Sequence, residues 1–272
     1  MPVKALVLAA GRGTRLCPLT PFIPKEMLPV EGLPAIHYVL EELSFAGVTD
    51  VLIVLSEGKG AIRDYLTAKL SPKGAEAASL ERERARLIDS LRISFIKQKE
   101  LLGTAHAIGL AASFMEDDPM LVAFPDDLLL DAWAGRVIDT PTRSLIELCR
   151  NSGDSVLLAA EIPGCEASQY GVLRLRAERR GRFVSDIVEK PLDYREEKAH
   201  VLIGRMMITP RVMASIPKHR FDDATGIIPS LLDEAAIGRL RAFVYVGERY
   251  DLGSHRGYRS LLMNVLTEKG KK

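Results

Sequence analysis

Gly11, Gly13, Arg15 and Lys25 are the residues of this chain best equipped for chemistry, because they follow the apolar run Val3–Ala10 within one short stretch. The two glycines let the backbone turn tightly and bring its N–H groups close to an anion. Arg15 adds a planar fork of donors and Lys25 a point charge, and both suit phosphate oxygens. Pro18, Pro21 and Pro24 keep the intervening chain stiff and out of helix. A loop of this kind after a buried first strand reads as a nucleoside-triphosphate site. It is not a Walker A loop, since no Gly-Lys-Ser/Thr closes it. It is not the dinucleotide fingerprint either, since Leu16 stands where the third glycine belongs.

Carboxylates supply the second set of candidates. Phe124-Pro125-Asp126-Asp127 follows the apolar run Met120–Phe124, and a carboxylate just past a buried strand can hold Mg²⁺ without being desolvated in the sheet. By type, Asp126, Asp127 and Asp131 all qualify. Asp251, in Tyr250-Asp251-Leu252-Gly253-Ser254, follows the expected strand Leu240–Val246 and precedes a helix. Two aspartates far apart in sequence, both at strand ends, could converge on one ion; each could equally cap a turn or helix. Glu189-Lys190-Pro191 offers a lysine for a phosphate and a glutamate for hydroxyl groups, with a proline that holds both at a strand end.

These residues need elements that carry them to one edge. Asp50–Leu55, Ile93–Gln98, Met120–Phe124 and Ser155–Ala160 read as further buried strands. Ala35–Ala46, Ala61–Leu70, Thr104–Phe114 and Ser144–Asn151 show helical spacing between them. Such alternation predicts an α/β fold, a mostly parallel sheet with helices on both faces and ligands at the carboxyl ends of the strands. In the second half, Gly171–Leu175 and Phe183–Val188 flank Ala177–Gly181 as a hairpin, Val201–Ile208 is a strand, and Gly257–Leu266 is the last helix. The Glu- and Arg-rich run Ala75–Arg92 reads as an exposed helix with a solvated face. No linker or repeat divides the 272 residues, so one continuous domain is expected, in two parts of about 1–135, with the glycine loop, and about 136–260.

Composition bounds the partners. Net charge is +1, with 47% hydrophobic and 27% charged residues, which gives no broad field for nucleic acid or an anionic membrane. No apolar run reaches membrane-spanning length, and the N-terminus lacks secretory-signal character. Cys17, Cys149 and Cys165 lack metal-ligand spacing and suit a reducing, cytoplasmic setting.

The string Gly11-Arg12-Gly13-Thr14-Arg15-Leu16-Cys17-Pro18-Leu19-Thr20, followed by Pro24-Lys25-Glu26-Met27-Leu28-Pro29, resembles the signature of sugar-1-phosphate nucleotidylyltransferases. It is most similar to the bacterial UTP–glucose-1-phosphate uridylyltransferase branch. The resemblance implies a Rossmann-like mixed sheet of the nucleotide-diphospho-sugar transferase type and transfer of a uridylyl group from UTP to glucose 1-phosphate. It implies Arg15, Lys25 and Lys190 as catalytic residues, and Asp126 and Asp251 as ligands of Mg²⁺. Ala10, Gly11, Gly13, Thr14, Gln98 and Gly103 would bind the nucleotide, Gln98 offering the donor and acceptor that a uracil edge needs. Gly171, Glu189 and Gly204 would bind the sugar. A homo-oligomer, dimer or tetramer, is also implied.

Three departures and rivals stand beside this reading. Ala105 replaces a second glycine of the branch, which leaves uracil and thymine both open, and dTTP or CTP with another acceptor would use the same chemistry. Thr225-Gly226-Ile227-Ile228-Pro229-Ser230-Leu231 lacks the carboxylates the branch carries there, which leaves the acceptor sugar open and keeps a catalytically silent regulatory subunit as a rival. A dinucleotide oxidoreductase fits poorly, because Leu55 is followed by Ser56 before Glu57. His106 reads as a packing or helix-start residue, since an anionic nucleophile needs no base.

Overall fold

The computed structural model describes residues 2–129, 140–221 and 226–269; Asp131 and Thr225 lie outside the described residues. The first half runs β1 (Val3–Ala9), short β2 (Pro29–Val30) and β3 (Leu33–Pro34), α1 (Ala35–Phe45), β4 (Val48–Leu55), α2 (Gly60–Thr67), α3 (Ala75–Ser90), β5 (Arg92–Lys97), α4 (Gly103–Gly109), α5 (Ala112–Met115), β6 (Met120–Ala123) and β7 (Asp127–Leu129). The second half runs α6 (Pro141–Ser152), β8 (Ser155–Pro163), β9 (Gly171–Glu178), β10 (Gly181–Glu189), β11 (Lys198–Ile208), α7 (Pro210–Ser215), α8 (Ile228–Ala236), β12 (Leu240–Tyr245), β13 (Arg249–Asp251) and α9 (His255–Lys269).

Among the described residues nine strands form one mixed sheet in the order β5-β4-β1-β6-β11-β8-β12-β10-β9. The β5-β4-β1-β6 half is parallel throughout, as the strand–helix alternation predicts. Antiparallel pairing begins at β11, which lies between β6 and β8 and also touches β9 at Val201–Val172. Alternate residues of the parallel strands serve opposite layers. Val7 and Ile53 pack with Ile36, Leu40 and Leu145 on one face, while Leu6, Leu8 and Val54 pack with Ile108, Val212 and Leu231 on the other. A strand buried on both faces reads as an unbroken apolar run, which is why Val3–Ala10 lacks alternation. Among the described residues no helix is long and apolar enough to cross a membrane, and Cys17, Cys149 and Cys165 are free thiols.

Several elements depart from expectation for local reasons. The helix expected over 104–114 is two pieces, α4 and α5. The Ala75–Arg92 run ends as helix at Ser90, and Arg92 instead opens β5 and clasps Asp50 through two 2.6 Å bonds. Its face is not wholly solvated: Arg84 is buried, tied to Glu81 and to the carbonyls of Tyr65 and Ala68. Helix α6 starts earlier than its apolar spacing suggests, because Thr140 caps it by accepting from Arg143 N at 3.0 Å.

The β7–β13 ribbon has no counterpart in the expected elements. Asp251 does not simply follow the strand that ends near Val246; it ends a three-residue strand of its own, paired antiparallel with β7 so that it faces Asp127. Beneath the start of β7 lies Arg205 of β11, whose side chain is 0% exposed. Its guanidinium grips Glu42 of α1 at 2.5 and 3.0 Å and donates to the carbonyls of Phe124, Gly204 and Asp127. Thr142 of α6 also donates to Glu42. Removing one member of such a pair strands the other in a dry interior. Glu42→Gln is therefore expected to lower stability by about 3–5 kcal/mol in equilibrium urea unfolding; a loss below about 1 kcal/mol would show that the pair does not hold this region together.

Candidate active site

The loop after β1 takes its shape from Gly13. Its φ is +68°, and a Cβ there would stand 2.9 Å from Thr20 Cγ2, so glycine is required on both counts. Thr20 donates its hydroxyl to the Gly13 carbonyl at 2.7 Å and closes the loop on itself. Lys25 and Glu26 then open a single 3-10 turn behind Pro24, and their side chains diverge. Lys25 Nζ reaches Asp126 Oδ2 at 2.5 Å, whereas Glu26 is buried against Lys59 Nζ at 2.7 Å.

Ala10, Gly11, Gly13, Thr14, Lys25, Gln98 and Gly103 all line one cleft of about 400 Å³, together with Arg12, Thr104 and Phe124. Gln98 is buried at the end of β5. Its amide nitrogen lies 3.3 Å from the Gly103 carbonyl and 3.0 Å from His106 Nδ1. His106 is thus more than a packing residue, since it holds the Gln98 amide. The signal was the Gln98–His106 spacing across a turn, which no helical or strand period exposes.

Asp126 and Asp251 converge. Leu252 N donates to the Asp126 carbonyl at 2.7 Å, extending the β7–β13 pairing by one bond. A Cβ on Gly253 would stand 2.9 Å from Asp126 Oδ2, 2.8 Å from Asp251 Oδ1 and 2.5 Å from an Arg15 guanidinium nitrogen. Two carboxylates and a guanidinium therefore crowd a point that only glycine leaves clear. Arg15 Nη1 also bonds Asp251 Oδ2 at 3.2 Å. Sequence reading passed over Gly253, although it sits inside the quoted motif.

The charges in this corner are unequal. Burial pushes the Asp126 carboxyl up, but Lys25, with Arg15 behind it, outweighs this and holds it below the usual carboxylate range. Burial also acts against the Lys25 ammonium, yet Asp126 and Glu26 keep it above the ordinary lysine value. Asp251 goes the other way: burial, reinforced by Asp126 and Asp127 and only partly offset by Arg15, lifts its carboxyl. Paired carboxylates that resist ionising together are an all-oxygen donor set of the kind a hard divalent cation relieves.

The other half of the candidate site lies across β9 and β10. Gly171 and Glu189 face each other in register, and a Cβ on Gly171 would stand 3.0 Å from Glu189 Oε2. Lys190, at φ +45°, donates its backbone N–H to the Tyr170 carbonyl at 3.0 Å, and its ammonium lies 2.8 Å from Glu189 Oε1. Arg249, which sequence reading did not single out, ties this half to the aspartates. Its guanidinium stacks 4.9 Å over Tyr170, and its Nε donates to Asp127 Oδ1 at 2.5 Å. Gly204 is buried, donates to Asp127 Oδ2 at 2.7 Å, and leaves the room of its missing side chain to Asp127 itself.

Comparison with known proteins places the whole chain in a family. Residues 4–268 match the family described as Nucleotidyl transferase. The chain is similar to a UTP–glucose-1-phosphate uridylyltransferase of Staphylococcus epidermidis, 32% identical over 94% of this chain and 89% of the relative. It is similar also to one of Bacillus subtilis, 31% identical over 94% and 88%. A solved UDP-glucose pyrophosphorylase complexed with UDP-glucose superposes with a TM-score of 0.85 at 28% identity, over 100% of both chains.

The raised Asp251 carboxyl has a consequence for stability. Below its unfolded-state value the group is protonated in both states and costs nothing. As pH rises through the higher folded-state value, ionisation comes to disfavour the folded chain. Asp251→Asn is therefore expected to raise Tm at neutral pH in EDTA, with the gain vanishing near about pH 3–4. Calorimetry at the two pH values checks this, and a lower Tm for the variant at neutral pH would contradict it.

Proposed function

The chain belongs to the nucleotidyl transferase family, and from that premise we propose that it transfers a uridylyl group from UTP to glucose 1-phosphate, giving UDP-glucose and pyrophosphate. The observation that carries this reading is the convergence of Asp126, Asp251 and Arg15 around Gly253, with Lys25 reaching the same corner from the glycine-lined cleft.

In this reading the triphosphate lies along Ala10, Gly11, Gly13 and Thr14, and the base reaches Gln98 and Gly103. An oxygen of the sugar phosphate, anionic at neutral pH, attacks the α-phosphorus in line. The bond from that phosphorus to the bridging oxygen breaks, and pyrophosphate leaves with the electron pair. No general base is needed. The barrier lies in bringing two polyanions together and stabilising charge on the leaving oxygens. Lys25 and Arg15 meet the phosphates from the cleft side. Lys190 meets the acceptor phosphate, while Glu189 accepts from sugar hydroxyls beside Gly171. Gly204 contributes indirectly, by holding Asp127. Asp126 and Asp251 would hold a magnesium ion, which when bound compensates phosphate charge.

Pyrophosphate release tests the reading. With Mg²⁺, UTP plus glucose 1-phosphate is expected to turn over faster than dTTP or CTP, and faster than UTP with other sugar 1-phosphates. Binding without release for every pair would support a silent subunit instead. Lys190 is 60% exposed, so Lys190→Ala should fold normally yet lose on the order of 10²-fold in kcat. Lys25→Ala should lose about 10²–10³-fold. Near-normal rates in both variants would remove these role assignments. Gly253→Ala is expected to abolish turnover while keeping the far-UV spectrum, because its methyl group occupies the point where the three charges meet.

A further inference from the structure

A second cluster of metal-ligating side chains lies outside the cleft, where α1 packs on α3. His37 and Glu41 stand four residues apart on α1 and so share a face, and Glu83 of α3 faces them. One donor atom from each of the three lies within 4.8 Å of the others. His37 is fully buried. Its Nδ1 lies 2.9 Å from the Tyr65 hydroxyl, but its Nε2 is buried with no hydrogen-bond partner and points at Glu83 Oε1, 3.8 Å away. A buried ring nitrogen without a partner is disfavoured, and here it faces two carboxylates.

We propose that His37 Nε2, Glu41 and Glu83 form a binding site for a first-row divalent transition metal such as Zn²⁺, with Tyr65 orienting the imidazole from behind. Zinc bonds of about 2.0–2.2 Å in a tetrahedral arrangement place donors roughly 3.4 Å apart. The three donors need to close by only an ångström or so, and Glu83, 47% exposed, can swing inward and leaves a path for the ion. Burial, then the nearby Arg84, push His37 down to about 4, so the ring is neutral at neutral pH, and the tautomer with its proton on Nδ1, donated to the Tyr65 hydroxyl, would offer the Nε2 lone pair to the ion. Burial and Glu83 together lift the Glu41 carboxyl, a strain that a cation relieves. The groups facing the cluster from the packed elements are Tyr38 on α1, Tyr65 on α2, and Glu81 and Arg84 on α3. Arg84 opposes a metal, but its guanidinium is already taken by Glu81 and by the carbonyls of Tyr65 and Ala68. The imidazole separates this site chemically from the all-oxygen Asp126–Asp251 pair, which suits magnesium. It does not depend on the proposed reaction.

Titration calorimetry of the metal-stripped full chain with ZnCl₂, in millimolar Mg²⁺ to occupy oxygen-only sites, tests the proposal. One site per chain is expected. Affinity should fall about tenfold or more in both Glu83→Gln and Glu41→Gln, and Zn²⁺ should raise Tm in the unaltered chain but in neither variant. The ¹⁵N resonance of His37 Nε2 should shift on zinc addition. Unchanged affinity in either variant, or an unmoved His37 resonance, would overturn the site and place the zinc elsewhere, the exposed thiols of Cys17 and Cys165 included.

Discussion

The candidate site hangs on the short antiparallel ribbon of β7 and β13, closed by the bond from Leu252 N to the Asp126 carbonyl. Without that pairing, Asp126 and Asp251 belong to separate connections at the edge of a large sheet. Two three-residue strands are too short to be stable alone. Side chains supply the remainder. Arg205 holds the carbonyls of Phe124 and Asp127 from below, Glu42 neutralises Arg205, and Arg249 clamps Asp127 from the β13 side. Helix α1 therefore supports the site from a distance, through the Glu42 carboxylate and through its packing with Leu128 and Leu129 of β7.

This arrangement also sets the electrostatic state in which the cleft meets a ligand. Lys25 rests on Asp126 and Arg15 on Asp251, so a phosphate must compete with carboxylates for both cations. The exchange is uneven. Asp126 binds its lysine at 2.5 Å in near-complete burial, whereas Arg15 is more than half exposed and holds Asp251 at 3.2 Å. Arg15 is the easier cation to draw away, and Asp251 the carboxylate left less compensated. On the proposed reading, charge neutralisation by a divalent ion matters most at the member of the pair with the raised carboxyl.

Much of the site was legible in the sequence because backbone chemistry leaves strong marks. An apolar run, glycines that need a left-handed or close-packed backbone, and prolines that exclude helix are local signals, and the stretch from Val3 to Pro29 carries all of them. What stayed hidden was pairwise. Arg205 sits inside the apolar strand Val201–Ile208, and a lone arginine there demands a buried anion, but nothing in its neighbourhood names Glu42. Glu42 itself looks like any charge on an amphipathic helix. The β7–β13 ribbon is too short to show a period of two, so the approach of Asp251 to Asp127 could be suspected from chemistry but not read from pattern. The Gln98 partner of His106 and the whole role of Arg249 stayed hidden for the same reason, since the partners lie across turns or on distant strands.

On the proposed reading, the acceptor half poses a different problem, that of telling one sugar from another. Glu189 Oε2 lies 3.0 Å from where a Gly171 Cβ would stand, and Lys190 is partly committed to Glu189 at 2.8 Å. On the α8 side, Ile228 comes within 4.0 Å of where a Gly171 Cβ would stand, which sets an apolar side chain against the same space. A pocket that reads hydroxyls by paired polar groups rejects an analogue strongly, because the analogue leaves buried groups unpaired. An apolar wall rejects only by shape, for factors of about 10–200. On that reading, Glu189 would discriminate sharply at the hydroxyls it touches, whereas a position facing Ile228 would be governed by fit alone. On the same reading, selectivity among hexose phosphates is expected to be steep where Glu189 accepts from the ring and shallow where Ile228 faces it.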